Sequence, residues 1–306
     1  MGRLTSRAVA IERVEANGIT IAYETFGDPA APPLLLIAGV GAQMISWPEG
    51  FCEELAGRGL RVIRFDNRDV GESTHLDELG KADLTAVREG RRGTAPYTLS
   101  DMAADAAGLL DALGIDSAHV AGLSMGGMIA QTVALEHPDR VRSLTSIMST
   151  TGDSSLPKAT PEAQDMLLRP SARSREELIE MAVEGAKVLG SPGFEIDDDY
   201  LRERAGRTWD RGYDPAGFGR QLAAIYASGS RAALLPSLRV PALVIHGEDD
   251  PLIRPEAGRA TAEAIEGAEL VTIPGLGHDL PRGAWPLVAG PIVQLVERVE
   301  RERVAA

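Results

Sequence analysis

Short apolar runs, each too brief for a helix, alternate along this chain with helical patterns, and that rhythm leaves few folds open. Leu34-Leu35-Leu36-Ile37-Ala38 is apolar without interruption and reads as a central strand buried on both faces. A helix is expected over Pro48–Arg58 with Gly59 as its stop, then a strand over Arg61–Phe65 and a turn-rich stretch from Asp66 to Gly93. Thr98 and Asp101 form a capping-box-like pair that opens a second helix, carried by Met102, Ala106, Leu109 and Leu113 and ended by Gly114. Strand His119–Leu123, apolar helix Met125–Glu136 closed by Pro138, and strand Leu144–Ser149 follow. Ahead of them, Ile11–Glu15 and Ile19–Phe26 flank Asn17-Gly18, a strong hairpin signal. Strands alternating with helices require an α/β fold: a mostly parallel sheet with helices on both faces.

The rhythm stops between Thr150 and Pro236. Pro157, Pro161, Pro170 and Pro192 punctuate this stretch, with helical segments around Arg175–Leu189 and Pro215–Ala227. Asp197-Asp198-Asp199 reads as a solvated face or helix start, not a metal site. The α/β pattern then resumes with strand Ala242–His246, helix Pro255–Ile265, strand Glu269–Ile273 and helix Trp285–Glu300. The expected division is therefore 1–150 as the first part of an α/β core, 151–236 as an inserted helical cap or lid, and 237–306 as the second part.

Charge and composition narrow the partners. The chain carries 45 acidic and 31 basic residues, a formal charge of −14, and such a surface repels phosphate backbones. A lone Cys52 excludes an internal disulfide framework and any cysteine-based zinc site. Met1 to Gly18 holds no apolar run long enough for a signal peptide, and no stretch approaches the ~20 apolar residues of a membrane span. The expectation is a cytoplasmic protein that meets a small molecule, not nucleic acid or membrane.

Gly122-Leu123-Ser124-Met125-Gly126 fits G-x-S-x-G, and it lies between an apolar strand and an apolar helix, where that motif has mechanical meaning. Ser124 is placed on a tight strand-to-helix turn, glycines two residues either side relieve its crowding, and the helix N-terminus offers N–H groups to a developing oxyanion. A nucleophilic serine needs a base. Of five histidines, His119 and His246 fall within core strands, His137 ends a helix, and His75 sits in a polar loop where exposure is expected. His278, in the loop after the last strand, lies at the same sheet edge as Ser124. Either Asp249 or Asp250, after strand Ala242–His246, could orient it; Asp250 is the more restricted, standing before Pro251. Ser124, Asp250, His278 also follows the chain order nucleophile, acid, base.

From about Val14 to Val299 the chain resembles the α/β-hydrolase family. The resemblance rests on Gly122-Leu123-Ser124-Met125-Gly126-Gly127, on Val244–Pro255, on Gly275-Leu276-Gly277-His278-Asp279-Leu280-Pro281, on Arg64–Ser73 and on Gly39–Met44. It is similar to the capped serine esterases, in the branch with aclacinomycin methylesterase and mycobacterial LipG-type carboxylesterases. The resemblance favours Asp250 as the acid. It implies a second oxyanion donor beside the Met125 N–H, from the loop after Leu34–Ala38, namely the Val40 N–H. Many members carry His-Gly there; this chain has Ala38-Gly39. Asp66 and Arg68 are expected to brace a turn.

Three other readings compete. Gly39-x-Gly41 with Asp66 imitates a dinucleotide fingerprint, but Met44 occupies the third glycine position and the helix starts too late. A ligand receptor, a perhydrolase or a C–C bond hydrolase could keep the same triad; Ser at 124 disfavours haloalkane dehalogenation. The reading that stands is a serine carboxylic-ester hydrolase without metal or organic cofactor, acting through an acyl-enzyme on small to medium hydrophobic esters, methyl esters among them. Met44, Trp47, Trp209, Tyr213, Phe218 and Tyr226 are candidate substrate contacts.

Overall fold

The computed structural model describes residues 10–305. Residues 1–9, part of the stretch read for an N-terminal apolar run and of the first core segment, and residue 306 lie outside the described residues.

The first hairpin, β1 (Glu12–Ala16) and β2 (Ile19–Phe26), turns at Asn17 (φ 49°) and Gly18 (φ 78°), the two positive angles that match the twist of its strands. Strand β3 (Pro33–Ile37) is buried along its whole length. Helix α1 (Glu49–Gly57), strand β4 (Arg61–Phe65), the short helix α2 (Leu84–Arg88), helix α3 (Leu99–Ala112), strand β5 (Ala118–Leu123), helix α4 (Met125–Glu136) and strand β6 (Val141–Ile147) complete the first half. The Thr98–Asp101 pair forms a capping box at the start of α3. Helix α2, which the turn-rich reading omitted, is one turn capped by the Asp83 carboxylate. Strand β6 stops two residues short of the expected Ser149, because Met148 takes φ 43° and leaves extended geometry.

Four helices then interrupt the sheet: α5 (Pro161–Leu168), α6 (Arg175–Leu189), α7 (Asp198–Asp210) and α8 (Pro215–Ser228). The acidic run is the start of α7, with Asp197 as its cap. Strand β7 (Ala242–Gly247), helix α9 (Pro255–Ala264), strand β8 (Glu269–Ile273) and helix α10 (Trp285–Ala305) return to the core.

The eight strands form one sheet in the order β1-β2-β4-β3-β5-β6-β7-β8, all running one way except β2, which is antiparallel to both of its neighbours, β1 and β4. Alternate residues of β3 serve opposite faces: Leu35 and Ile37 pack with α3 and α4, while Leu34 and Leu36 pack with α1 and α10. With both faces covered, the loops after β3, β4, β5, β7 and β8 gather at one edge, and the insert meets them there. No described helix is long and apolar enough to cross a membrane.

Candidate active site

Close backbone packing builds the turn after β5. Ser124 stands at φ 58°, ψ −121°, a conformation that costs a non-glycine residue about 1–3 kcal/mol and persists only where its surroundings enforce it. A Cβ on Gly122 would lie 2.0 Å from the Gly126 carbonyl oxygen, and one on Gly126 would lie 2.0 Å from that of Ile37. Strand, turn and helix therefore approach more closely than side chains would permit. The Ser124 N–H donates to the Ile147 carbonyl (2.9 Å), and the Ser149 hydroxyl donates to the Ser124 carbonyl (2.7 Å). Helix α4 begins at Met125; the Gly127 and Met128 N–H groups donate to the Ser124 carbonyl, which leaves those of Met125 and Gly126 without intrahelical acceptors.

His278 Nε2 lies 3.0 Å from Ser124 Oγ, and Nδ1 lies 2.7 Å from Asp250 Oδ2. Asp250 is fully buried, and its Oδ1 accepts the N–H groups of Leu252 and Ile253, each at 2.9 Å. A carboxylate only accepts, so Nδ1 carries the proton and Nε2 presents its lone pair to the serine. Burial pushes the His278 ring toward its neutral form, but the Asp250 charge and hydrogen bond, with Asp279 beyond, lift it above the ordinary histidine value. Asp249 takes a different part: its Oδ2 accepts the Gly275 N–H at 2.8 Å and braces the histidine loop.

The loop after β3 presses on the serine. A Cβ on Gly39 would sit 3.3 Å from Ser124 Cβ, a tight contact that glycine avoids. Beyond Val40, the Gly41 N–H donates to Gln221 Oε1 at 2.7 Å, and the Met44 N–H donates to Asp66 Oδ1 at 2.6 Å. Asp66 Oδ2 accepts the Glu72 N–H and an Arg211 N–H, so it braces this loop and the insert as well as its own turn. Arg68 forms a two-pronged pair with Asp105 on α3. Only a single 3-10 turn, Met44–Ser46, follows Gly41, and α1 begins at Glu49, too late for a pyrophosphate turn.

A cavity of about 380 Å³ opens beside Val40 and Gly41. Its apolar walls come from Val70 and from the insert, including Met166, Leu178, Met181 and Leu189. Of the six candidate substrate contacts, Tyr213 and Phe218 line it. The other four lie outside that lining, a correction with separate causes. Met44 is fully buried beneath Asp66, and Trp47 stacks on Phe51 in the core (centroids 5.8 Å apart). Trp209 backs Tyr213 from behind (5.6 Å), and Tyr226 faces Arg88 at α2 (5.6 Å). His75, expected to be exposed, is half-buried between Asp214 and the Gly71 carbonyl. His119 bonds Ser143 and Glu300 at the far side of the sheet. His246 gives Nε2–H to the Ile253 carbonyl, and burial keeps it neutral.

Cys52 is no rival nucleophile, since burial pushes its thiol up to about 12. Among the described residues no group of three or more His, Cys, Asp or Glu could hold a metal ion. Gln221, fully buried on α8, escaped the sequence reading: it is separated from Gly41 by 180 positions and belongs to no local motif.

A family model described as alpha/beta hydrolase fold matches residues 32–281. The chain is similar to rhodomycin D methylesterase DauP of Streptomyces sp. strain C5, 34% identical over 91% of this chain and 95% of that one. It is also similar to rhodomycin D methylesterase DnrP of Streptomyces peucetius, 33% identical over 90% of this chain and 94% of that one. Among solved structures, a thermophilic esterase from Thermogutta terrifontis superposes with a TM-score of 0.68 at 26% identity, covering 95% of this chain and 98% of the other. The chain belongs to the α/β-hydrolase fold family.

Proposed function

We propose that the protein is a serine carboxylic-ester hydrolase. The observation that carries this reading is the line Asp250–His278–Ser124, joined at 2.7 and 3.0 Å on a strained strand-to-helix turn. His278 takes the Ser124 proton as Oγ attacks the ester carbonyl. The N–H groups of Met125 and Val40 hold the oxyanion, and donors of this kind contribute about 10²–10³ each in rate. The imidazolium, stabilised by Asp250, then protonates the leaving alcohol. Water attacks the acyl-enzyme with His278 again as base, and Ser124 is regenerated.

Residues 151–236 act as the cap in this reading, with Tyr213 and Phe218 among the groups that meet the substrate. The apolar walls of the cavity favour a hydrophobic acyl part of small to medium size, and the two methylesterase relatives support a methyl ester.

The test is hydrolysis of p-nitrophenyl esters from acetate to octanoate, with Ser124→Ala in parallel and fluorophosphonate labelling read by intact mass. Turnover and labelling by the parent, both lost in a folded Ser124→Ala, is the expected result. Turnover that survives the substitution refutes the nucleophile.

A further inference from the structure

Glycines precede the catalytic base. Gly275 (φ 75°) and Gly277 leave the backbone leading to His278 unusually free, so something outside the loop must fix it. Asp249 braces its start at Gly275, and the insert fixes the rest. The His278 N–H donates to the Leu189 carbonyl (2.6 Å), the Gly277 N–H to Ser191 Oγ (2.9 Å), and the Gly193 N–H to the Gly275 carbonyl (2.9 Å). The two segments touch at backbone contact: a Cβ on Gly277 would lie 2.2 Å from the Gly190 carbonyl oxygen, and one on Gly193 would lie 2.7 Å from the Gly275 Cα. Residues 189–193 thus run along 275–278 as a strap from the end of α6.

Ser191 stands at the centre of this strap, 2% exposed. It gives its own proton to Asp279 Oδ1 while accepting from Gly277. The arrangement has one sense, because a carboxylate only accepts: with the hydroxyl proton on Asp279, a lone pair must face the Gly277 N–H.

We propose that Ser191 is a positioning residue for the catalytic base, holding the Gly277–His278 peptide so that Nε2 reaches Ser124 while Nδ1 stays on Asp250. The inference rests on the serine-hydrolase reading above. The charged and titratable groups around the ring are Asp250 and His246 from β7 and its loop, and Asp279 next in the chain, itself under the influence of Arg204 on α7. Asp250 holds His278 above its ordinary value, so a ring that drifts from Asp250 protonates at lower pH.

The experiment compares the full-length parent with Ser124→Ala, Ser191→Ala, Ser191→Cys and Ser191→Thr. It measures kcat and KM on the p-nitrophenyl ester the parent turns over fastest, the pH profile of kcat/KM, the rate of fluorophosphonate labelling, and thermal unfolding. In Ser191→Ala kcat is expected to fall by up to about 10²-fold, the scale of a misplaced catalytic group. KM should hardly move, labelling should slow in proportion, and the acid limb should shift to lower pH. Ser191→Thr keeps the hydroxyl and recovers most of the rate, while Ser191→Cys, a poorer acceptor of nearly the same size, falls between. A folded Ser191→Ala or Ser191→Cys with unchanged kcat and acid limb overturns the inference; so does a loss of kcat with the limb in place, which marks a merely structural role. A parent that neither turns over esters nor labels at Ser124 overturns the esterase reading itself and this inference with it.

Discussion

Gln221 accepts the Gly41 N–H at 2.7 Å and gives its own amide N–H to the Arg68 carbonyl at 2.7 Å. One buried side chain of the insert therefore ties the loop after β3 to the loop after β4, one residue beyond Val40. Gln221→Leu removes both bonds and strands two backbone groups, at a cost of about 1–3 kcal/mol for each group left buried and unpaired. The Val40 peptide loses its anchor as well, so kcat should fall more than KM rises. Gln221→Glu keeps an acceptor for Gly41 and should retain more activity. Steady-state kinetics and urea unfolding of both variants check this, and an unaltered kcat in Gln221→Leu contradicts it.

In the proposed mechanism the base must be neutral to accept the serine proton, and His278 is held above the ordinary histidine value by Asp250 despite its burial. The kcat/KM of the parent should therefore decline as pH falls, with an acid midpoint above about 6.5. Stability runs the other way for this group. A raised folded-state value contributes stability that is complete below about 6.5 and is lost as pH rises through the folded value. A pH–rate profile with an acid midpoint under the ordinary value contradicts the prediction.

Arg220 on α8 and Asp69 after β4 are both shielded from solvent and joined by two bonds of 2.8 Å, with Asp214 a third partner at 2.9 Å. Arg220→Met leaves Asp69 buried without its cation and should cost about 3–5 kcal/mol. Asp69 sits at φ 70°, which asparagine tolerates, so Asp69→Asn tests the charge without adding strain. The double variant should be less destabilised than the sum of the singles. Simple additivity in denaturant titrations would show the pair to be uncoupled.

Gly185 on α6 faces the cavity, and a Cβ there would find its nearest neighbour, Met166 Sδ, at 3.9 Å. Gly185→Leu should therefore fit, stabilise the helix by roughly 0.5–1 kcal/mol, and occupy part of the cavity proposed to take the acyl group. The expected outcome is a higher melting temperature together with a shift of the best p-nitrophenyl ester toward shorter acyl chains. An unchanged chain-length optimum would place the acyl group elsewhere.

What the sequence disclosed was local. The Asn17-Gly18 hairpin, the uninterrupted β3 and the Thr98 cap each depend on neighbours a few residues apart, and each lies where the pattern put it. The serine turn, the two aspartates and the histidine loop were legible because each is a short motif at the end of a strand. Helix α7 was not legible beyond its acidic start: it buries only Ala205 and Gly206, so no apolar periodicity marks it. Side-chain direction was equally hidden. Trp47 turns into the core because Phe51, four residues on, offers a ring to stack on, which proximity to the loop after β3 does not reveal. Gln221 and Ser191 act on residues 180 and 86 positions away, where no motif joins the partners.

The insert holds the loop at Gly41 through Gln221 and the loop at Gly277 through Ser191. On the proposed function, substrate range and turnover are for that reason not separate modules in this chain. A chimera that receives residues 151–236 from a relative inherits a new cavity, but it keeps a working centre only if the graft brings an amide to Gly41 and a hydroxyl to Gly277. Diversification of such an insert is constrained at those two points and free between them. Libraries aimed at new esters should leave Gln221 and Ser191 fixed and vary the cavity-facing positions of α5 and α6.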